Sequence, residues 1–132
     1  MKNLVSHPKA LILDDDPIIL EILNTAVEIT EIFDSIVQVS SYKDAKSALA
    51  KDCFGLMIID HHLPDGNGYQ LLSDLRHNPS EKNCNVPTLF TTGAIEAEME
   101  KELKSLPLVH FLPKPYVIEN VVEVILDLLK LR

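Results

Sequence analysis

The sequence has only two cysteines, two arginines and no long apolar run. Cys53 and Cys84 have no partner at a zinc-ligand spacing, and one pair in an acidic chain makes no disulfide framework, so a reducing, cytoplasmic setting fits best. With 12 basic against 20 acidic residues the net charge is -8, and no basic stripe offers a grip on nucleic acid or an anionic membrane. The longest apolar runs fall far short of the ~20 residues of a membrane-spanning helix. The opening MKNLVSHPKA has no apolar signal core. Internal repeats, low-complexity tracts and linkers are missing as well. What remains is 132 residues, 46% of them hydrophobic, enough for a single domain, 1–132, with a real core.

Short apolar runs alternate with longer stretches of helical period. KALILD (9–14) reads as a strand without polar alternation, the mark of burial on both faces. A helix follows from DPIILEILNTAVEI, with Asp16 at the N-cap and Pro17 at the first helical position. Strands are expected at 35–40, 54–60, 86–92 and 108–112. Helices are expected at 41–52, 68–78, 94–106 (Ile95, Met99, Leu103 and Leu106 on one side) and from 117 to the end. Five strands alternating with five helices predict an α/β fold, a doubly wound parallel sheet covered on both faces. In such sheets ligands bind beyond the carboxyl ends of the strands. The polar residues at those ends are Asp14 and Asp15, Asp60, Thr92 and Lys114.

Asp14, Asp15 and Asp16 put three like charges in a row after a buried strand, an arrangement that is costly unless a cation neutralises it. Magnesium suits a site of one or two carboxylates plus a phosphate, because it prefers oxygen ligands and keeps several waters. Asp60 can then act as a nucleophile forming an acyl phosphate. Lys114 would pair with a phosphoryl oxygen, and the Thr92 hydroxyl would donate to another.

These residues carry a resemblance. Asp14-Asp15 after an apolar strand, IIDHHLPDGNGYQLL around Asp60, PTLFTTG ending in Thr92 and FLPKPY around Lys114 are together similar to the response-regulator receiver domain of two-component signalling, the chemotaxis type. Each motif is short; their order at strand-helix intervals across essentially the whole chain is the specific signal. The resemblance implies a flavodoxin-like fold with strand order 2-1-3-4-5. It implies that Asp60 accepts a phosphoryl group from a histidine kinase or histidine phosphotransfer protein. Asp15 and Asp60 would bind Mg²⁺ directly, Asp14 mainly through a water, and His62 through its backbone carbonyl. Thr92 and Phe111 would form the switch pair, and Lys114-Pro115 would be joined by a cis peptide. His62 and Ala94, two positions beyond Asp60 and Thr92, would be the side chains best placed to tune dephosphorylation. The output would go through the surface of helix four, strand five and helix five to an effector protein or a missing output domain. Turnover would be limited to phosphorylation and dephosphorylation of the chain's own aspartate.

The chain also departs from the pattern. Pro113 removes a ladder donor, which an edge strand tolerates. SLPLVH lacks the usual small-residue turn with glycine before strand five. Bland readings compete as well: Asp16 as a cap, Phe111 as core packing, and GNG (66–68) as a turn capping helix three. Adjacent His61 and His62 should point opposite ways along an extended segment, and no third histidine sits at a ligand spacing. Two other functions fit part of the pattern. Asp14 and Asp16 mimic the Asp-x-Asp of a haloacid-dehalogenase-like phosphatase, which needs a further acidic motif that is not found here. A degenerate receiver, binding partners without phosphorylation, would not need the complete Asp, Thr and Lys set.

Overall fold

The computed structural model describes residues 8–94 and 96–130. Ile95, assigned to the fourth helix, and most of the opening decapeptide lie outside them. The sheet strands are β1 (Lys9–Leu13), β2 (Ser35–Val39), β3 (Leu56–Asp60), β4 (Thr88–Thr92) and β5 (Val109–Pro113). The helices are α1 (Pro17–Thr30), α2 (Tyr42–Lys51), α3 (Gly68–Arg76), α4 (Ala97–Ser105) and α5 (Ile118–Leu128). All sheet pairings are parallel and the order is β2-β1-β3-β4-β5, as the resemblance implies. A two-residue ladder, His62–Leu63 against Gly66–Asn67, lies between β3 and α3.

Central β3 and β4 are buried at every position, whereas no position of edge strand β2 is fully buried. Side chains alternate across the sheet and feed two cores. Leu11, Leu13, Met57, Ile59 and Phe90 pack under α2, α3 and α4 with Leu49, Leu71, Leu72 and Leu103. Ile12, Ile58 and Leu89 pack under α1 and α5 with Leu23, Val27, Val121 and Ile125. Each such buried aliphatic side chain contributes roughly 1.5–3 kcal/mol.

Helix starts follow the capping signals. The Asp16 carboxylate accepts from the Ile18 N–H at 2.9 Å, Ser41 from Asp44 at 3.1 Å and Asn67 from Gln70 at 2.8 Å. The GNG segment is therefore a capping turn. Among the described residues α4 has no side-chain cap: it starts after Glu96, three residues later than its period suggests, because the Thr92 hydroxyl and Ala94 form a local turn first. Two other elements are also shorter than the apolar pattern. β3 starts at Leu56, since the Phe54 N–H goes instead to Asn83 Oδ1 at 2.9 Å, and β4 starts after Pro87. Pro113 ends an edge strand; the neighbouring Lys114 N–H faces β4, so the proline nitrogen faces the open side.

Before β5, Leu108 adopts φ 57, the left-handed conformation that glycine would take most easily. Arg76 of α3 fastens this end of the sheet. Its guanidinium donates to the carbonyls of Pro107 (3.1 Å), Cys84 (3.0 Å), Val86 (2.6 Å) and Leu108 (3.4 Å) and to the Thr88 hydroxyl (3.2 Å). Burial among these neutral acceptors pulls its pKa down.

Candidate functional site

The site grows out of the sheet register. Leu13 pairs with Ile59, Asp60 with Thr91, and Thr92 with Pro113, so the ends of four strands lie within two rungs of one another. The hydrogen-bonded ladder also runs one residue further than the strands. Asp14 N–H donates to the Val39 carbonyl at 3.2 Å, His61 N–H to Thr91 at 3.0 Å and Lys114 N–H to Thr92 at 3.0 Å. Polar side chains are thus held at the rim by backbone bonds rather than by loop chance.

Asp14 is fully buried, Asp60 is 4% exposed and Asp15 is open to solvent. One carboxylate oxygen from each lies within 4.8 Å of the others. Lys114 Nζ bridges the two buried ones, 3.0 Å from Asp60 Oδ1 and 3.2 Å from Asp14 Oδ2. The Asp16 N–H donates to the other Asp14 oxygen at 2.9 Å. Burial pushes the Asp14 carboxyl above its usual range, the Asp16 N–H works against this, and the charge of Asp60 adds to it. For Lys114, burial pulls the pKa down, but the hydrogen bond to Asp60 and the charges of both aspartates outweigh it, and the net direction is up. The Lys114–Pro115 peptide is cis.

The remaining candidates are arranged less tightly. Thr92 is 1% exposed, and its hydroxyl donates to the Ala94 carbonyl at 2.9 Å while the Ala94 N–H approaches it at 3.3 Å. Ala94 and His62 are exposed. Phe111 pairs with Phe90, two rungs back from the rim, and packs half-buried on the α4 side. The two histidines do not diverge as expected: their rings meet edge to face, 5.0 Å apart. The chain bends at His61 itself, before the short strand that starts at His62, and the His61 carbonyl accepts from the Gly68 N–H at 2.8 Å. His61 Nδ1 accepts from the Tyr69 N–H at 3.4 Å, and its ring lies 5.8 Å from that of Phe90. Burial, then the neighbouring His62, lowers its pKa. No cluster of three metal-binding side chains includes either histidine among the described residues.

Three contributors were not evident from the motifs. Gly68 is required by proximity: a Cβ there would lie 2.4 Å from the Asp60 carbonyl oxygen. Asp65 ties the loop after Asp60 to α2 by accepting the N–H groups of Tyr42 (2.7 Å) and Lys43 (3.0 Å). Tyr69 of α3 donates its hydroxyl to Glu102 of α4. The glycine-asparagine-glycine run signalled a turn but not which backbone it touches.

The three carboxylates suit a hard cation: the donors are all oxygen, two are buried and one is open to water. Asp16, by contrast, is spent on its helix cap.

The family model described as "Response regulator receiver domain" matches residues 10–126. The chain is 27% identical over 128 residues to the response regulator protein PilR of Pseudomonas aeruginosa, covering 97% of this chain and 27% of PilR. It is 27% identical over 122 residues to the transcriptional regulatory protein CiaR of Streptococcus pneumoniae, covering 92% of this chain and 51% of CiaR. The chain thus spans about a quarter to a half of these relatives' lengths. The chemotaxis response regulator CheY4 of Vibrio cholerae superposes with a TM-score of 0.78 at 19% identity, covering 93% of this chain and 99% of that one. The phosphorylated cyanobacterial phytochrome response regulator RcpA gives 0.80 at 16% identity, covering 96% and 97%. At these identities the likeness is one of fold.

Proposed function

The chain belongs to the response-regulator receiver-domain family, and from that premise we propose that it is a phosphoacceptor switch in a two-component or phosphorelay system, with residues 1–132 forming one receiver domain. A single observation carries the reading: the nearly buried Asp60 carboxylate is held 3.0 Å from the Lys114 ammonium, with Asp14 and Asp15 beside it. A spent or degenerate site would have no need of an ion-paired, buried nucleophile backed by two further acids.

Mg²⁺ would be held by Asp14, Asp15, Asp60 and the His62 carbonyl, and when bound it supplies positive charge against the negative charge that phosphoryl transfer brings in. The chain's own residues do the rest. An Asp60 oxygen attacks the phosphorus of a phosphohistidine on a kinase or histidine phosphotransfer protein, the P–N bond breaks, and the imidazole leaves with the electron pair. Lys114 ion-pairs with Asp60 beforehand and afterwards pairs with a phosphoryl oxygen. Thr92 must give up its bonds to Ala94 to donate there, and Phe111 follows into the space that it leaves. Exposed Glu98, Lys104 and Glu119 on the α4–β5–α5 surface then meet an effector protein or a separate output domain. His62 and Ala94, both solvent-facing, border the path of the hydrolytic water. The phosphatase alternative finds no support, since Asp16 caps a helix.

Mass spectrometry after incubation with acetyl phosphate and Mg²⁺ tests the reading. One phosphoryl adduct per chain, lost in Asp60→Asn, is expected. No adduct on the wild-type protein would overturn it, and turnover of phosphomonoesters would point to a phosphatase.

A further inference from the structure

β5 is an edge strand, and its hydrogen bonds fix which of its backbone groups stay open. The Thr88 N–H donates to the Leu108 carbonyl at 2.9 Å and the Lys114 N–H to the Thr92 carbonyl at 3.0 Å, so residues 108, 110, 112 and 114 turn their backbone groups toward β4. The residues between them turn theirs the other way, as in any strand of a ladder. Val109 and Phe111 therefore each present an N–H and a carbonyl on the open side, where no backbone group pairs with them among the described residues. Pro113 presents a carbonyl only. Such an edge is a template for one further strand.

The side chains beside the edge define what that strand must carry. Val109 and Phe111 pack on the α4 face. With Leu103 they give an apolar lining to a groove of about 280 Å³ that Glu100 and Lys104, ion-paired at 3.4 Å, also border. A strand laid along β5 puts alternate side chains on this face, and an apolar one fills the groove. The chain's net charge of -8 repels a second copy and attracts a basic segment. We propose that the open edge of β5 is a strand-addition site for a short, basic, extended segment of the effector, which seats an apolar side chain between α4 and Phe111. Pairing is confined to Val109–Pro113, because Leu108 at φ 57 turns the chain at one end and Pro113 lacks a donor at the other. For its control the inference rests on the phosphoacceptor reading of Asp60: Phe111 lines the groove, so its move toward the space left by Thr92 deepens the pocket that the effector enters.

The probe is the capped peptide Lys-Val-Lys-Val-Lys-Val-Lys, together with two forms N-methylated either at every valine or at every lysine, each of which blocks the donors along one edge of the peptide. In the free protein the Val109 and Phe111 amides should exchange with solvent faster than those of His110 and Leu112, and the unmethylated peptide should slow them. At least one methylated form should bind about tenfold more weakly, the worth of one or two hydrogen bonds. Beryllofluoride with Mg²⁺, the phosphoryl mimic, should tighten binding of the peptide by roughly fivefold or more. Equal affinity of all three peptides, no added protection at Val109 and Phe111, or a mimic that binds without changing the peptide affinity would overturn the inference and leave the phosphoacceptor reading intact. Protection that rises with protein concentration alone, with dimers in sedimentation, would assign the edge to a second copy and overturn it as well. A wild-type protein that does not take up the mimic would overturn the phosphoacceptor reading, whereas the exchange and peptide results are read without it.

Discussion

Removing the Lys114 charge while keeping its stem, as in Lys114→Met, isolates the electrostatics of the site. The ammonium serves two carboxylates that are 0% and 4% exposed, while its own side chain is 24% exposed. Deleting one partner of a buried ion pair costs roughly 3–5 kcal/mol, and the partial exposure of Lys114 argues for the lower end, about 3 kcal/mol at pH 7. For a chain of this size that lowers the Tm by roughly 10 °C. The loss should depend on pH in a defined direction. Asp14 has a folded pKa above its unfolded value, so the folded state binds more protons than the unfolded one between about pH 3.9 and that folded pKa, and stability falls as pH rises through the window. Without Lys114 the window widens upward, because only the Asp16 N–H is left to offset burial and the charge of Asp60. The variant should therefore lie well below wild type at pH 7 and approach it near pH 4, where one proton on Asp14 removes the repulsion. Millimolar Mg²⁺ at pH 7 should return more stability to the variant than to wild type. Urea denaturation at both pH values, with unchanged m-values, measures this. An equal loss at pH 7 and pH 4 would mean that Lys114 contributes packing rather than charge.

Arg76→Ala should cost about 3 kcal/mol in chemical denaturation, because it abandons five acceptors at once, and Arg76→Lys should recover less than half, since an ammonium cannot span them. Gly68→Ala should destabilise by about 2 kcal/mol or more through the clash with the Asp60 carbonyl, and slow phosphorylation by acetyl phosphate in the same variant. Asp65 has its pKa lowered first by the Lys43 N–H and then by that of Tyr42; its stabilisation is present above the unfolded aspartate pKa and is lost as pH falls through the folded one. The Tm difference between wild type and Asp65→Asn should accordingly shrink on acidification.

The interior strands were legible because burial on both faces leaves a continuous apolar run, as in ALIL and LMII, and the caps because Asp16, Ser41 and Asn67 each precede a helical period. The rim aspartates and Lys114 were legible because they interrupt those runs. What escaped notice depends on partners far along the chain. Asn83 sits in a segment that reads as loop, yet it is 2% exposed and joins the Phe54 N–H to the carbonyls of Leu49 and Asp52. Arg76 looks like an ordinary last-turn cation. No period or neighbour announces these roles, because the groups that they bind are supplied by other elements.

The uneven capping of the helices has a mechanical consequence. α1, α2 and α3 are each pinned at the end nearest the site, and α2 is pinned twice, by Ser41 and by Asp65. α4 is clamped in its second half, by Leu103 in the core and by the Tyr69 hydroxyl on Glu102, while no side-chain cap bonds its first turn among the described residues. It is in effect a lever with its fulcrum inside the protein and its loose end at the rim. A displacement at Asp60 meets stiff resistance toward α2 and α3 and little toward the start of α4, so the scaffold's compliance already has a direction before any signal arrives.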